Sequence, residues 1–520
     1  MSRSHGVLVM VIAFGAVLIF ANLGNRLLWE DEAETALLAK SILRVGVPIA
    51  WDGRDLISQE CGTDYDANYL WRQTPWLPIY LTALSFKLFG VGTVSARLPA
   101  AVIGVLSVLS LYVLACSLFA DRTLAVLATT LLVLSVPFLL HVRQARYYAL
   151  AILATIWVLY FFFELLRDRR FALLGLTLAL TVLFHSSYLA FFATVAGLAL
   201  AFVTVGFEAP AGLRLAGAGV ATLVINLGSL AVFDVTGKTA TVLAASSGRV
   251  FLANLWRYAV WIELFAVSIV LVAVLVGMRF ALPRGKANAG WPAPKACLSL
   301  AVFALGHVLF VSVPTLIFFR YVITLLPVFA LLQAAVLRAL WQEHRLLAVT
   351  ACTVLLFVDR ADLLHGDLGS TPFKYLDEIT HDVPGPIAGL VTYLRATAKP
   401  GDRVFISYGD LPLRFHTDLE VRGGMTCQNL AGWPLPDWLV VRYFYPFRTD
   451  SPGMQKEAEW TLRYLHTQIP MHVYREVELP YVDTIWESIP EPDSHIYRTP
   501  SEGRRVTIHR KVVPGPAPPR

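Results

Sequence analysis

Cysteine is scarce. The chain has 5 in 520 residues, too few for a disulfide scaffold and without the paired spacing of a zinc module. Charge is scarce as well: Asp, Glu, Lys and Arg make up 15% of the chain against 56% hydrophobic residues. With a mean hydropathy of +0.60, this excludes a disordered chain and an ordinary water-soluble domain. No Gly-rich phosphate loop sits on a strand-helix unit, which argues against a nucleotide donor. No small-residue cleavage site follows the first apolar run, so that run reads as a retained span. No internal repeat is found. The basic excess, 43 Lys and Arg against 37 Asp and Glu, is modest and gives no sign of nucleic-acid binding.

What the chain does have is a succession of apolar runs. A helix needs about 20 mainly apolar residues to cross the hydrocarbon core. Eleven candidates precede residue 360, near 7–24, 98–119, 123–140, 147–166, 171–187, 188–206, 213–233, 257–278, 296–313, 317–337 and 346–358. The expected fold is mainly α, a polytopic membrane helical bundle over residues 1–360. Basic residues in short loops, among them Arg122, Arg167, Arg170, Arg284, Lys286 and Arg338, favour the side of the N-terminus two to one, which predicts an inside N-terminus. An odd number of spans then places everything after 360 outside.

Two outer pieces are large. The first, 25–97, carries Glu30, Asp31, Glu32 and Glu34, then Leu37, Leu38, Ser41 and Ile42 at helical spacing. This predicts a helix lying flat on the bilayer with its apolar side down. Trp76 to Phe89 is too short to cross and reads as a second interfacial or re-entrant helix. The second piece has soluble composition. Runs at 403–408, 438–443 and 505–509 read as strands, and 386–398 and 454–466 as helices, so 361–513 is expected to form a small α/β domain before a Pro-rich tail at 514–520.

Charges beside a membrane need a reason. The acidic run suits a functional site, but carboxylates also favour a helix N-terminus, so a solvated face is an open alternative. His141 to Tyr148, with Arg143, Arg146 and Tyr147, falls at the outer end of the third and fourth spans, and Arg320 and Tyr321 at the outer end of the tenth. Snorkelling to headgroups explains such Arg residues, and so does a lipid-anchored phosphate gripped by planar guanidinium donors. Arg72 and Gln73 in the first loop, and His185 and Tyr188 at another outer helix end, are further candidate substrate contacts. Each also reads as a solvated or interfacial residue. Glu263, about two turns inside the eighth span, either pairs with an Arg or lines a cavity. Cys61 and Cys427 both lie outside, where an oxidising compartment permits a bridge. Cys116, Cys297 and Cys352 read as buried apolar residues.

The ordered set Leu28-Trp-Glu-Asp-Glu-Ala33, Pro75 to Ala83, Lys87-Leu-Phe-Gly90 and Arg97-Leu-Pro-Ala100 resembles the GT-C glycosyltransferases. The protein O-mannosyltransferases and lipid A aminoarabinose transferases are the groups most like it, over roughly residues 7–340. The resemblance implies a cell-envelope enzyme in a bacterial cytoplasmic membrane, with its active site and C-terminal domain extracytoplasmic. It makes Asp31 the general base with Glu32 beside it, and the donor a sugar on polyprenyl phosphate. Outer basic residues hold that phosphate, here Arg143, Arg146, Arg320 and Arg72 with Tyr147 and Tyr321. The acceptor is a lipid, a glycan or a protein. Where aminoarabinose transferases carry Lys-Pro-Pro, this chain has Arg72-Gln-Thr-Pro75, so neither that sugar nor a lipid A acceptor is implied. Some GT-C enzymes use a divalent metal ion and others do not, and Glu30, Asp31 and Glu32 suit either scheme. A single displacement with one base inverts the anomeric centre. The rival of another class is a transporter or flippase of lipid-linked saccharide, whose usual marks, inverted repeats and broken helices, are not evident in the sequence.

Overall fold

The computed structural model describes residues 3–281, 291–357, 371–430, 432–442, 452–484 and 487–512. Arg284, Lys286 and the tail at 514–520 lie outside the described residues. The chain forms two compact units: Met1–Ala21, Leu98–Thr380 and Pro490–Asp493 make one, and Asn22–Arg97, His381–Ile489 and Ser494–Arg520 the other.

The first unit is helical. Among the described residues, six helices are long and apolar enough to cross a membrane: Thr93–Phe119, Tyr148–Leu166, Tyr188–Val205, Ala209–Val232, Pro294–Val311 and Ile323–Glu343. Two further pairs, Arg122–Val133 with Val136–Val142 and Gly248–Ala266 with Ile269–Met278, are bent by 66° and 75° and bring the count to eight if each pair is one span. The eleven spans expected are thus six to eight by length and composition. The shorter apolar helices His5–Phe20, Ala172–Phe184 and Arg345–Leu355 account for the other predicted runs. The breaks correct the expectation of uninterrupted spans. The first falls beside Pro137, which lacks an N–H for the helical ladder and begins the new helix. Elsewhere backbones approach closely, since a Cβ on Gly197 would lie 2.6 Å from the Phe303 carbonyl oxygen and one on Gly306 2.9 Å from Gly197 Cα. Small residues permit such contact between membrane helices.

The second unit combines the first outer loop with a five-stranded sheet. Strands β1 (Arg403–Ile406), β2 (Glu420–Gly423), β3 (Trp438–Val440), β4 (Tyr474–Val482) and β5 (Arg505–Lys511) lie in the order β2-β1-β3-β5-β4. β1 runs parallel to β2 and β3, while β5 is antiparallel to β3 and β4. Alternation along β1 and β3 sends Val404, Ile406, Trp438 and Val440 to a core with Leu390 and Leu394 of helix Pro386–Thr397, and Phe405 and Leu439 to the opposite face with Tyr464.

In the same unit, helix Glu30–Val45 ends at Gly46, whose φ of 83° only glycine adopts without strain and whose N–H donates to Ile42 O at 2.8 Å. Residues 30–39 are all buried, the carboxylates included, and exposure begins at Lys40 and resumes at Leu43. A helix half-immersed in lipid would expose one long face. This one is instead covered by helices Leu77–Phe89 and Asp410–His416, which corrects the flat-lying expectation. Helix Leu77–Phe89 does keep an exposed apolar face, with Tyr80, Leu84, Leu88 and Phe89.

The outer loop and the later segment are stitched together. Buried Arg414 donates to Leu56 O and to Asp52, and to Asp55 O at 3.1 Å, while Arg422 Nε donates to Asp55 Oδ1 at 2.9 Å. Cys61 and Cys427 form a disulfide with their Cα atoms 4.8 Å apart, and Cys61 N–H donates to Met425 O at 3.1 Å.

Candidate active site

The acidic helix starts after Trp29, which is extended, and Glu30, Asp31 and Glu32 occupy its first turn. There the unsatisfied N–H groups and the helix dipole favour negative charge. The four carboxylates of the run nevertheless meet different surroundings.

Glu32 is fully buried and held by Arg97. Nε donates to Oε1 at 2.8 Å and Nη2 to Oε2 at 2.6 Å, while Nη1 donates to Leu23 O and Arg26 O at 3.0 Å each. A bidentate pair whose remaining donors also find acceptors is the arrangement that sustains a buried ion pair. Glu34 accepts from Gln59 Nε2 at 2.7 Å. Asp31 is the most accessible of the four, 9% exposed against 2%, 0% and 4% for Glu30, Glu32 and Glu34.

Glu60 lies in the field of Asp31. Burial, and then Asp64 and Asp31, push its carboxyl up to about 7. Its loop folds around Asp64, which accepts from Ser58 Oγ and from the N–H groups of Gln59 and Glu60 at 3.1 and 3.0 Å. Asp64 O in turn receives the N–H groups of Arg72 and Gln73, at 2.8 and 3.0 Å, and Arg72 Nη2 stands 3.3 Å from Asp66 Oδ2. Two neighbours, Arg97 and Glu60, were therefore not named as site residues from sequence, although Arg97 stands in the family-like segment Arg97-Leu-Pro-Ala100. Arg97 had a signal, a charge at the head of an apolar run. Glu60 had none, because loop closure alone brings it there. Among the described residues, no group of three or more His, Cys, Asp or Glu side chains could hold a metal ion.

The predicted phosphate ligands lie in the helical unit. Arg143 Nη1 donates to Leu18 O, Ile19 O and Ala21 O at 3.0, 2.9 and 2.8 Å, and its guanidinium stands 5.9 Å from the Tyr375 ring centre. Those carbonyls end the first helix and have no further turn to bond, so Arg143 acts as a helix cap. Arg320 packs 3.9 Å from the Phe318 ring centre, with Nη1 3.5 Å from Tyr148 Oη and Nε 3.6 Å from Glu491 Oε1. Tyr147 packs edge-on to Tyr148 at 4.6 Å and is within electrostatic reach of Arg146, Arg320 and Tyr321. Two segments distant in sequence thus meet. Glu491 joins them unannounced by any motif. Burial pushes its carboxyl up to about 7 although Arg320 opposes the shift.

The remaining candidates have local partners. His185 packs edge-on to Phe184, and Tyr188 packs on Phe184 and Phe233. Glu263 accepts from Ser268 Oγ at 2.7 Å and from Val270 N–H at 3.0 Å, so it caps the helix beyond the 75° bend.

Residues 73–227 match the family model for dolichyl-phosphate-mannose-protein mannosyltransferase. No curated protein sequence matches the chain. Among solved structures, ArnT from Cupriavidus metallidurans in the apo state superposes with a TM-score of 0.57 at 14% identity, covering 98% of each chain. The same protein bound to undecaprenyl phosphate gives 0.56 at 13%, with 99% of each chain covered. The archaeal oligosaccharyltransferase AglB from Archaeoglobus fulgidus, in complex with an inhibitory peptide and a dolichol-phosphate, gives 0.52 at 12%, covering 93% of this chain and 74% of its own. At these identities the likeness is one of fold. The chain shares its fold with these proteins, and its residues 73–227 are similar to the mannosyltransferase family.

Proposed function

We propose that the protein transfers a sugar from a polyprenyl-phosphate donor to an acceptor on the outer face of a bacterial cytoplasmic membrane, with inversion. Asp31 acts as general base, with Glu32 beside it on the same helical turn. The observation that carries this reading is the division of labour in the acidic run. Glu32 is consumed by Arg97 in fastening the helix, and Asp31 is the carboxylate that keeps the greatest accessibility. Supporting it, the fold neighbour ArnT is seen bound to undecaprenyl phosphate, and AglB in complex with a dolichol-phosphate and an inhibitory peptide.

In this reading the acceptor hydroxyl loses its proton to Asp31 as its oxygen attacks the anomeric carbon, and the bond from that carbon to the phosphate oxygen breaks. Charge builds on the departing lipid phosphate. Arg146 and Arg320, with Tyr147, Tyr321 and Arg72 as further donors, stabilise it more in the transition state than in the ground state. Arg143 contributes while also capping the first helix. The test is to incubate purified protein with a panel of radiolabelled lipid-linked sugars and membrane extract and identify what becomes labelled. Asp31→Asn should abolish labelling while the variant still binds undecaprenyl phosphate. Full labelling by Asp31→Asn would refute the base.

A further inference from the structure

Beside Asp31 lies a second acidic feature. Glu30 and Asp410 are 2% and 1% exposed, and among the described residues no side-chain donor bonds either carboxylate; the donors in reach are main-chain N–H groups at the start of helix Asp410–His416, that of Leu411 for Glu30 and that of Asp410 for itself. They come from distant parts of one compact unit, the start of the acidic helix and the start of helix Asp410–His416, and these helices pack together. The two carboxyl groups are within hydrogen-bonding reach of each other.

The backbone is shaped to bring Asp410 there. Gly409 before it has φ of 98°, and Gly424 has φ of 57° and leaves room for the Asp410 carboxylate where any Cβ would collide with it. Around the pair stand Asp31 on the acidic helix, Arg414 on the same short helix as Asp410, and Asp55 from the outer loop. A cavity of about 20 Å³ beside Glu30, lined also by Tyr408, Arg442 and Glu487, has room for one water. Arg442 is engaged elsewhere, donating from Nε to Asp483 at 2.5 Å.

Two carboxylates in contact and out of water cannot both be ionised, because each charge loses hydration and repels the other. Two carboxyl groups with one proton between them instead form a strong O–H···O⁻ bond that leaves no oxygen lacking a donor on the shared side. We propose that Glu30 and Asp410 share one proton, and that this bridge positions Asp31 by clamping the first turn of the acidic helix to the Asp410 segment. The positioning half of this rests on Asp31 being the base. Burial and Asp410 hold the Glu30 carboxyl well above its usual range, and burial pushes Asp410 up to about 6, in keeping with a proton retained by the pair. The shared proton is not consumed in the transfer, since the acceptor's proton goes to Asp31. Its effect is to put a single negative charge, spread over two residues, next to the base.

The test uses the full-length protein in detergent. Infrared difference spectra at neutral pH, wild type minus Glu30→Gln and wild type minus Asp410→Asn, should each show loss of the same protonated-carboxyl carbonyl band, sensitive to H/D exchange. A band unchanged in both variants overturns the proposal, and so does a band lost in Glu30→Gln alone, which would put the proton on Glu30 rather than between the two. If one variant fails to fold, the other decides: its difference spectrum must show loss of a protonated-carboxyl band that in the wild type survives titration past the ordinary carboxylate range, and absence of that loss sinks the idea. In the labelling assay Glu30→Ala should lower kcat on the order of 100-fold with KM unchanged, whereas Glu30→Gln, which can donate an N–H to Asp410, should retain activity. Equal activity of Glu30→Ala and wild type removes the positioning role. Asp31→Asn should keep the infrared band, so failure of the base assignment and failure of the bridge are read on different instruments.

Discussion

At the scale of single residues, two arginines show how the same chemistry serves different ends. Arg97 and Arg143 both spend donors on main-chain carbonyls near the first helix, but Arg97 also neutralises a buried carboxylate. Removing it leaves Glu32 charged and out of water. Arg97→Ala should therefore destabilise the protein by about 3–5 kcal/mol, the usual effect of breaking a buried pair on one side. Arg97→Ala combined with Glu32→Gln should recover part of the loss, because no charge is then stranded. Unfolding midpoints of the two variants check this, and equal midpoints would show that the pair is not energetically coupled.

Elements here are often held at their ends by side chains supplied from nearby in space. The clearest case is the broken span. A carboxylate in a hydrophobic run reads as a functional group, yet Glu263 satisfies Ser268 Oγ and the Val270 N–H, the first donors of a helix that starts again after a 75° bend. Glu263→Ala should cost about 1 kcal/mol, the typical loss of an N-terminal cap, and Glu263→Gln less, since its carbonyl can still accept. Thermal unfolding in detergent measures both. Labelling activity lost in Glu263→Ala at temperatures where the variant stays folded would instead mark a catalytic role. The acidic helix makes the complementary point. Its amphipathic spacing is real, but the surface that covers it is protein from a remote segment.

For the molecule as a whole, several buried carboxyls respond to pH in one sense. Burial pushes Glu60, Glu487 and Glu491 up to about 7 from an ordinary 4.5. Between those values the folded chain binds more protons than the unfolded one, so stability must fall as pH rises from about 4.5 to about 7 and level off above it. Carboxylates with depressed values, such as Asp52 beside Arg414, act in the opposite sense at lower pH. His416, which burial holds down to about 4, opposes the trend between about 4 and 6.5 but is outnumbered by the three carboxyls, which act alone above 6.5. Unfolding midpoints followed from pH 5 to 8 should therefore decline. A rise across that range would show that these groups are ionised in the folded state.

Composition and periodicity determined that the chain is a multi-pass helical protein followed by a small α/β segment, because hydropathy and alternation are local properties. They also placed Asp31 just after the first span, and the segment likeness to GT-C enzymes rested on residues close together in sequence. Tertiary structure alone decided the rest: that Asp410 meets Glu30, that Glu60 stands in the field of Asp31, that Glu491 meets Arg320, and that Glu32 is taken by Arg97. A buried charge has to find its partner wherever packing delivers one, and that choice depends on chain closure over hundreds of residues rather than on any local pattern.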